Sequence, residues 1–457
     1  MKNPNIIFFT IDGLRADKFE GNDKSSITPN LDSLRKKGTY FSQAISCADG
    51  TTLALNAMFS GMFPFRTGTR AKEVQMNRSN FIHILKNNDF HIYGVIPNLT
   101  SLSRYKFTFE NSVNSFKATP PNIEHLWEGA GKKILNLFEP GRMKEPWFCY
   151  IHPLDLHDPL IVQDEFNNEK FGDSKYEKVL SSMDKWIGDI TKHVDLDKTI
   201  IIVIADHGSI IPEGGLEYTD FEPEMKTELK IGKKIMPKST HKIGAKIVVG
   251  LRNRIRDSRL KKANEGLTPY QIRSRLPYFR LTLFDEAIRV PLLFVGKNIP
   301  DEKNVSRQVA NVDIFPTILD MLEITDDLRR DGRSLVSYFT GEEMEEREVY
   351  LHTIPYIEKS IHDKVGIRTP NYKYFRHARK SSENVNLYDL RQDPQENFNI
   401  ASENPDIVKE MESILVEMTG NSSIETMYEI DDKRLERIQD ELRILGYKKT
   451  WEENSKK

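Results

Sequence analysis

The sequence is poor in three features that would assign a chain of this length to a definite class. It contains two cysteines, Cys47 and Cys149, among 457 residues, which are too few for a disulfide framework. No apolar stretch approaches the roughly 20 residues of a membrane span, and the apolar run at residues 6–11 is shorter than the core of a signal peptide. The formal net charge of -2 gives no overall attraction to nucleic acid. We therefore expect a cytoplasmic protein without specific nucleic-acid binding, and the sequence leaves its oligomeric state open.

What the sequence does contain is a pattern of buried strands and helices. Continuous apolar runs separated by helical patterns recur in the first half of the chain, at residues 6–11, 91–96 and 199–205. Such runs are typical of parallel strands that are covered on both faces. After residue 340, tyrosine-rich segments divided by turns predict a small antiparallel sheet, and residues 433–447 have the pattern of an amphipathic helix. We therefore predict an α/β catalytic domain over residues 1–340 and a smaller α+β C-terminal subdomain over residues 341–457.

Residues 211–280 differ in composition, and we predict that they form a basic insertion within the first domain. Between Met225 and Arg280 the sequence has 16 lysine and arginine residues against 3 aspartate and glutamate residues. One interpretation is a solvated helical insertion. The other is a cationic lid or docking surface for an anionic substrate, a polymer or the face of a membrane, which would allow peripheral membrane contact without a transmembrane segment.

Metal-binding residue types follow two of the predicted strands. Asp12 ends the first apolar run, and Asp206 and His207 end the run at residues 199–205. Ligands of parallel sheets bind beyond the carboxyl ends of the strands, so these three side chains are expected to lie close together. Two carboxylates and an imidazole suit one divalent cation, and the sequence leaves Zn²⁺, Mn²⁺, Mg²⁺ and Ca²⁺ as alternatives.

A series of ordered segments resembles the sulfatase family of the alkaline-phosphatase superfamily. The segments include TPNLDSLRKKGTYFSQA, AMFSGMFPFRTG, ADHG, DEAIRVPLLFVG and LYDLRQDPQENFNIA. The resemblance implies an alkaline-phosphatase-like sandwich, with a large, mostly parallel, mixed sheet flanked by helices and a small C-terminal subdomain. It implies that Asp12, Asp206 and His207 bind the metal ion. It also places Thr51 at the position of the nucleophile, where it completes the metal shell, and matches His157 to the histidine that contacts the ester group or the leaving oxygen.

The chain departs from the sulfatase pattern at the nucleophile. Sulfatases typically carry Cys-x-Pro-x-Arg or Ser-x-Pro-x-Arg, whose first residue is oxidised to formylglycine, whereas this chain reads TTLAL at residues 51–55. Cys47 lies four residues too early for that role, and its alternative interpretation is a small buried residue. Thr52 would replace Thr51 if the register slips by one. The Lys-x-His pair of sulfatases is missing, and the later lysine is matched by Arg280, which we therefore include among the catalytic residues.

A threonine nucleophile favours phosphoryl over sulfuryl chemistry. The phosphoryl-transferring relatives of this superfamily use threonine, whereas the formylglycine route expels sulfate from a geminal diol that threonine cannot form. We therefore predict a metal-dependent hydrolase or transferase that uses Thr51 to attack a phosphate or sulfate ester. The ester could belong to a glycan or another polymer. The alternatives are a true sulfuric ester hydrolase without formylglycine and a non-catalytic member that binds an anionic glycan or polymer.

Other polar residues have two interpretations each. Thr51 stands where a helix is expected to begin, so helix capping is the structural alternative to nucleophilic attack. His152 and Asp155, together with His157, would be available to a second metal ion, although we favour one. Two further pairs are His241 and Lys242, as cations supplied by the insertion, and His352 and His377, as structural residues.

Overall fold

The computed structural model describes most of the chain in two compact units. The described residues are 3–67, 80–119, 122–213, 216, 254–255, 257–275, 282–342, 344–353 and 363–420. The first unit comprises Met1–Ser209 and Leu281–Lys457, and the second comprises Ile210–Arg280. Several predicted features lie outside the described residues, namely the terminal helix at residues 433–447, most of the basic stretch, and Arg280, His241 and Lys242.

The first unit is built on a mixed sheet of nine strands in the described part of the chain. The strands are β1 (Asn5–Thr10), β2 (Gly38–Ile45), β3 (His91–Pro97), β4 (Ser115–Phe116), β7 (Trp147–Ile151), β8 (Thr199–Ile204), β9 (Arg289–Gly296), β10 (Lys303–Val305) and β11 (Val309–Ala310), while β5 (Ala118–Thr119) and β6 (Asn122–Ile123) form a separate ribbon. Their order is β10-β2-β9-β8-β1-β7-β3-β4, with β11 beside β2. Strand β9 is antiparallel to both of its neighbours, and the other pairs are parallel. The prediction of a large, mostly parallel, mixed sheet is confirmed.

Helices flank this sheet and leave its central strands without solvent contact. The helices of the first unit are α1 (Ala16–Phe19), α2 (Pro29–Lys36), α3 (Thr51–Ser60), α4 (Pro64–Thr67), α5 (Phe81–Asn87), α6 (Ser103–Lys106), α7 (Gly131–Leu137), α8 (Lys175–Thr191), α10 (Asp285–Ile288), α11 (Ile314–Met321), α12 (Val336–Thr340) and α13 (Pro405–Thr419). Every residue of β1 and β8 is buried, because strands covered on both faces can be apolar throughout. Among the described residues, none of the helices combines the length and apolar character of a membrane span.

Helix α3 is apolar around its whole circumference and therefore lies inside the protein. All of its residues after Thr51 are buried. It begins after Gly50, whose backbone is extended, and it ends at Gly61, which adopts a left-handed φ of 62° and donates its N–H to the carbonyl of Ala57. A glycine in this conformation is a common helix terminus because it has no Cβ to clash. The helix thus presents Thr51 at its N-terminus from a buried and fixed position.

A four-stranded antiparallel sheet follows the main sheet in sequence, as predicted. Its strands are β12 (Val349–His352), β13 (Lys364–Arg368), β14 (Tyr372–His377) and β15 (Asn386–Asp389). Helix α13 covers it with the buried side chains of Met411 and Leu415. The end of β12 contacts the loop before α3, where the N–H of His352 donates to the carbonyl of Cys47 over 2.9 Å. The small sheet therefore supports the segment that leads to Thr51.

The described part of the second unit contains helical segments. Residues 257–263 are helical, and helix α9 covers Pro269–Ser274. Thr268 caps this helix through a reciprocal pair of hydrogen bonds with Gln271, a standard way to satisfy the exposed N–H groups of a helix N-terminus.

Candidate functional site

Three residues that could hold a metal ion meet at the carboxyl ends of β1 and β8. Asp12 follows β1, and Asp206 and His207 follow β8. Each offers a ligand atom, and these atoms all lie within 4.8 Å of one another. The three side chains are at most 2% exposed. The structure thus brings together the residues that the sequence places at neighbouring strand ends, because β1 and β8 pair in parallel.

The carboxylate of Asp206 is held by backbone groups on one side only. Its Oδ1 accepts hydrogen bonds from the N–H of His207 at 2.9 Å and from the N–H of Gly13 at 3.3 Å. Its Oδ2 has no hydrogen-bond partner among the described residues, and neither has Oδ1 of Asp12. Buried oxygens without partners are unfavourable, and a bound cation would remove that cost at both atoms.

Gly13 is required by the packing around this carboxylate. Its φ is +69°, and a Cβ at this position would lie 2.5 Å from Oγ of Ser209. An L-residue with a side chain would therefore be strained in conformation and would displace Ser209. The glycine allows the backbone after Asp12 to approach Asp206 closely.

His207 presents one defined nitrogen to the site. Its Nδ1–H donates to the carbonyl of Gly208 over 2.7 Å, so Nε2 is the nitrogen that can offer a lone pair to a cation. That Nε2 lies 3.6 Å from Oδ2 of Asp206 and 3.4 Å from Oγ1 of Thr51. This is the arrangement in which a histidine serves as a metal ligand once Nε2 is deprotonated.

Thr51 directs its hydroxyl to the same cluster. Oγ1 donates to Oδ2 of Asp12 over 3.2 Å. The capping residue of α3 is Gly50, and Thr51 is the first helical residue. The hydroxyl of Thr51 therefore contacts the acidic cluster, which weakens the helix-cap interpretation.

Burial and neighbouring charge act in opposite directions on these groups. Burial raises the pKa of the Asp12 carboxyl, but His152, His157 and His207 together hold this pKa well below its usual range. Burial raises the pKa of Asp206, and His207 only partly offsets the effect. For His207, burial lowers the pKa, but the carboxylates of Asp206 and Asp12 outweigh it and leave the pKa raised. The cluster holds negative charge at Asp12 in a setting that would favour a cation.

The segment after β7 contributes further polar residues. His157 is buried, and its Nδ1–H donates to the backbone carbonyl of Asp158 over 2.8 Å. His152 is fully buried, and its Nε2 lies 3.8 Å from Oδ2 of Asp12. Asp155 instead accepts a hydrogen bond from the N–H of Leu126 at 3.0 Å. Within the described residues, neither His152 nor Asp155 belongs to the group of possible metal ligands.

Two residues at or near the departure from the sulfatase pattern, Cys47 and Leu55, are buried. Cys47 is completely buried, and this burial raises the pKa of its thiol to about 12, although its contact with Asn311 lowers it. A thiol with this pKa is unreactive at neutral pH. Leu55, at the position of the missing arginine, is also completely buried. Two histidines that the sequence assigns to structural roles lie in the small sheet. The backbone N–H of His352 donates to the carbonyl of Cys47, and Nδ1 of His377 accepts from the N–H of Arg379.

Sequence reasoning missed three polar residues beside the cluster. The Ser46 hydroxyl donates to the carbonyl of Asp206 over 2.6 Å, and Ser209 lies against Gly13. Asp49 contributes to the raised pKa of His207, after the larger effects of burial, Asp206 and Asp12. Their common signal was proximity in sequence, since each lies within five residues of Thr51 or within three of Asp206.

Two family models match the chain. The model described as Sulfatase matches residues 4–324, and the model described as N-sulphoglucosamine sulphohydrolase, C-terminal, matches residues 278–421. The first match covers more than half of the chain and includes every described residue of the cluster.

Curated relatives and solved structures agree with this assignment. The chain is 30% identical over 144 residues to arylsulfatase K of Mus musculus, which is 30% of this chain and 26% of that protein. It is 27% identical over 128 residues to the delta 4,5-hexuronate-2-O-sulfatase of Bacteroides thetaiotaomicron, covering 27% of this chain and 26% of that one. The match thus spans about a quarter of the length of these curated relatives.

Two solved structures share the fold over nearly their whole length. The phosphonate monoester hydrolase of Agrobacterium radiobacter superposes with a TM-score of 0.65 at 15% identity, covering 94% of this chain and 99% of that one. A 2-O GAG sulfatase superposes with a TM-score of 0.61 at 17% identity, covering 95% and 96%. At these identities the likeness is one of fold. Together with the family match, it shows that the chain belongs to the sulfatase family.

Proposed function

We propose that this protein is a metal-dependent enzyme that cleaves or transfers a phosphate or sulfate ester, with Thr51 as the nucleophile and phosphoryl chemistry preferred. One observation carries the proposal. The Thr51 hydroxyl lies within 3.2 Å of Asp12 and 3.4 Å of His207, at the centre of the only group of possible metal ligands in the described residues.

The residues present fit a divalent cation. Asp12 and Asp206 each have a buried carboxylate oxygen without a partner among the described residues, Nε2 of His207 lies 3.6 Å from Oδ2 of Asp206, and Thr51 adds a hydroxyl. When bound there, a divalent cation supplies positive charge that lowers the pKa of a coordinated hydroxyl and neutralises ester oxygens. Oxygen-rich sets suit Mg²⁺ and Ca²⁺, while the imidazole also suits Zn²⁺ and Mn²⁺.

In the proposed reaction Thr51 acts as a covalent nucleophile. Its hydroxyl gives up a proton to solvent, Oγ1 forms a bond to the phosphorus or sulfur atom, and the bond from that atom to the leaving oxygen breaks. Water or an acceptor hydroxyl then attacks the threonine ester and regenerates Thr51. Threonine cannot expel its group from a geminal diol as formylglycine does, so the second step must break a threonine ester, which supports the preference for phosphoryl chemistry.

His157 is proposed as the residue that assists the leaving group. Its Nδ1–H is committed to the carbonyl of Asp158, so Nε2 is the nitrogen that would donate a proton to the leaving oxygen. His157 lies near enough to Asp12 to lower the pKa of that carboxyl. An ester bound to Thr51 would therefore be within its electrostatic reach.

In the described residues, histidines are the groups near the cluster that offset the charge of Asp12. The groups that lower the pKa of Asp12 against burial are His152, His157 and His207. Sulfatases place an arginine at the position of Leu55, which is buried here. Arg280 and the other cations of residues 211–280 remain proposed as the source of additional charge for an anionic substrate, either a glycan or another polymer.

Sulfate ester hydrolysis without formylglycine is the second candidate. It is favoured by the relatives named as sulfatases, arylsulfatase K and the hexuronate-2-O-sulfatase. Another structural neighbour, with a TM-score of 0.63 at 16% identity, was solved with D-glucosamine-2-N,6-O-disulfate as its substrate. These names make a sulfated sugar a reasonable substrate class to test beside a phosphate ester.

Turnover of three nitrophenyl esters distinguishes the candidates. Nitrophenyl phosphate, bis-nitrophenyl phosphate and nitrophenyl sulfate are each assayed with Zn²⁺, Mn²⁺, Mg²⁺ or Ca²⁺ after treatment with a chelator. Metal-dependent cleavage of a phosphate ester supports the proposal, and cleavage of the sulfate alone supports the second candidate. If the protein binds a metal ion and an anionic glycan but turns over none of the esters, the non-catalytic binding role replaces both.

A further inference from the structure

A buried tyrosine and histidine lie behind the proposed metal ligand Asp12, and the reaction described above does not use them. The hydroxyl of Tyr150 lies 2.8 Å from Nδ1 of His152, and Nε2 of His152 lies 3.8 Å from Oδ2 of Asp12. Tyr150 and His152 have no exposed surface. Nε2 of His152 has no hydrogen-bond partner among the described residues.

The tautomer of His152 follows from its two neighbours. A phenol keeps its proton at neutral pH, so Tyr150 can donate to Nδ1 and leave the imidazole proton on Nε2. The other tautomer would place the lone pair of Nε2 against the carboxylate of Asp12, which is unfavourable. The assignment rests on this hydrogen-bond logic, and it directs an N–H of His152 toward Oδ2 of Asp12.

The two oxygens of Asp12 then have different roles. Oδ2 receives the hydroxyl of Thr51 at 3.2 Å and faces the N–H of His152. Oδ1 has no partner among the described residues and is the atom left to bind a cation. His152 lies outside the group of possible metal ligands in the described residues, so its effect on a metal ion would pass through Asp12.

Aromatic packing fixes the position of Tyr150, the first residue in the series of contacts from Tyr150 through His152 to Asp12. The ring of Tyr150 lies 5.9 Å from Phe8 on β1, 5.3 Å from Phe59 on α3 and 5.9 Å from Tyr105 on α6. Such edge-on contacts hold an aromatic ring in one orientation. The Tyr150 hydroxyl therefore has a defined position relative to the strand that ends in Asp12 and the helix that begins with Thr51.

We infer that Tyr150 and His152 form a relay that orients the carboxylate of Asp12 for metal binding, with His152 as a positioning residue. The inference rests on the metal centre of the proposed function. At 3.8 Å the N–H of His152 acts on Oδ2 through its charge distribution rather than through a direct hydrogen bond. Removal of outer groups that orient metal ligands typically weakens metal binding by about 10- to 100-fold. The same relay would hold Oδ2 where it receives the Thr51 hydroxyl.

Metal titration of the whole chain tests the relay independently of turnover. Zn²⁺, Mn²⁺, Mg²⁺ and Ca²⁺ are titrated by calorimetry into wild type, Tyr150→Phe and the control Tyr105→Phe, which removes a hydroxyl from the same aromatic cluster. We expect Tyr150→Phe to bind the preferred ion about 10- to 100-fold more weakly and Tyr105→Phe to bind it as wild type does. Urea unfolding in EDTA should show that both variants still fold cooperatively.

A second pair of variants separates orientation from folding and from substrate contact. His152→Leu should lose at least as much metal affinity as Tyr150→Phe. His152→Gln should recover part of the lost affinity, because the glutamine amide supplies an N–H. The double variant Tyr150→Phe/His152→Leu should bind the metal ion as weakly as His152→Leu alone. Unchanged metal affinity in Tyr150→Phe, or a loss that Tyr105→Phe shares, would overturn the relay. If wild type binds none of the four ions, the metal centre itself fails, which is a different result.

Discussion

The hydroxyl of Thr51 donates to the carboxylate of Asp12 over 3.2 Å, although 39 positions separate the two residues. The contact exists because β1 ends beside the N-terminus of α3, a helix buried along its length. Starting a helix does not require a threonine hydroxyl to contact a buried carboxylate. The contact therefore links the proposed nucleophile to the proposed metal site.

The first prediction concerns metal binding and stability. Wild type should gain free energy of unfolding when a divalent ion is added, by about 2.7 kcal/mol at an ion concentration 100 times the dissociation constant. Asp206→Asn should lose this gain, since it removes a ligand charge. In EDTA it should be at least as stable as wild type, because burial already raises the pKa of Asp206 and the amide avoids a buried charge. Thermal unfolding with and without each ion measures both effects, and equal metal-induced shifts in the two proteins would contradict the site.

Much of the fold was predictable because the central strands are continuous apolar runs in the sequence. The runs that form β1 and β8 are apolar at every position, and only strands covered on both faces tolerate this. The antiparallel placement of β9 was not predictable, since a buried strand has the same composition in either direction. The short strands β4, β5 and β6 have two residues each, too few for a periodic signal.

The site was predictable to the extent that its residues end strands. Asp12, Asp206 and His207 follow such ends, and the parallel pairing of β1 with β8 brings them together. The contacts of His152 with Tyr150 and Asp12 were not predictable, because they depend on side-chain direction after β7. Arg280 lies outside the described residues, so its role stays a prediction.

The second prediction concerns His157 and the leaving group. A proton donor matters most when the leaving oxygen is a poor leaving group, so His157→Gln should slow cleavage of a simple alkyl ester by about 10²- to 10⁴-fold. Cleavage of a nitrophenyl ester should fall much less, because nitrophenolate leaves without a proton. Steady-state rates for both esters measure the difference, and the exposed His193→Gln is the control. An equal loss for both leaving groups would assign His157 to binding or structure.

The third prediction concerns pH and Asp155. Burial raises the pKa of Asp155 to about 6 from the ordinary value of 3.8, although His125 and the N–H of Leu126 lower it. The folded state therefore holds this proton more tightly than the unfolded state, and the free energy of unfolding falls as the pH rises from about 4 to about 6. Asp155→Asn removes this loss of stability with rising pH, and its amide oxygen can still accept the hydrogen bond from the N–H of Leu126.

The advantage of the Asp155→Asn variant over wild type should thus be larger at pH 7.5 than at pH 4, by up to about 3 kcal/mol for a shift of this size. Urea unfolding at the two pH values measures it. A difference between the two proteins that does not change with pH would mean that Asp155 ionises normally in the fold.

The most direct test of the account compares Thr51→Val with Thr52→Val on whichever nitrophenyl ester wild type cleaves. Both changes replace a hydroxyl by a methyl group at adjacent positions, and Thr52 is buried, so each variant controls for the other. We expect Thr51→Val to fold and bind metal but to lose turnover by a factor on the order of 10³ or more, with Thr51→Ser recovering part of it and Thr52→Val within a few-fold of wild type. Turnover at the wild-type rate in Thr51→Val, or its loss in Thr52→Val alone, would contradict the assignment of Thr51 as the nucleophile.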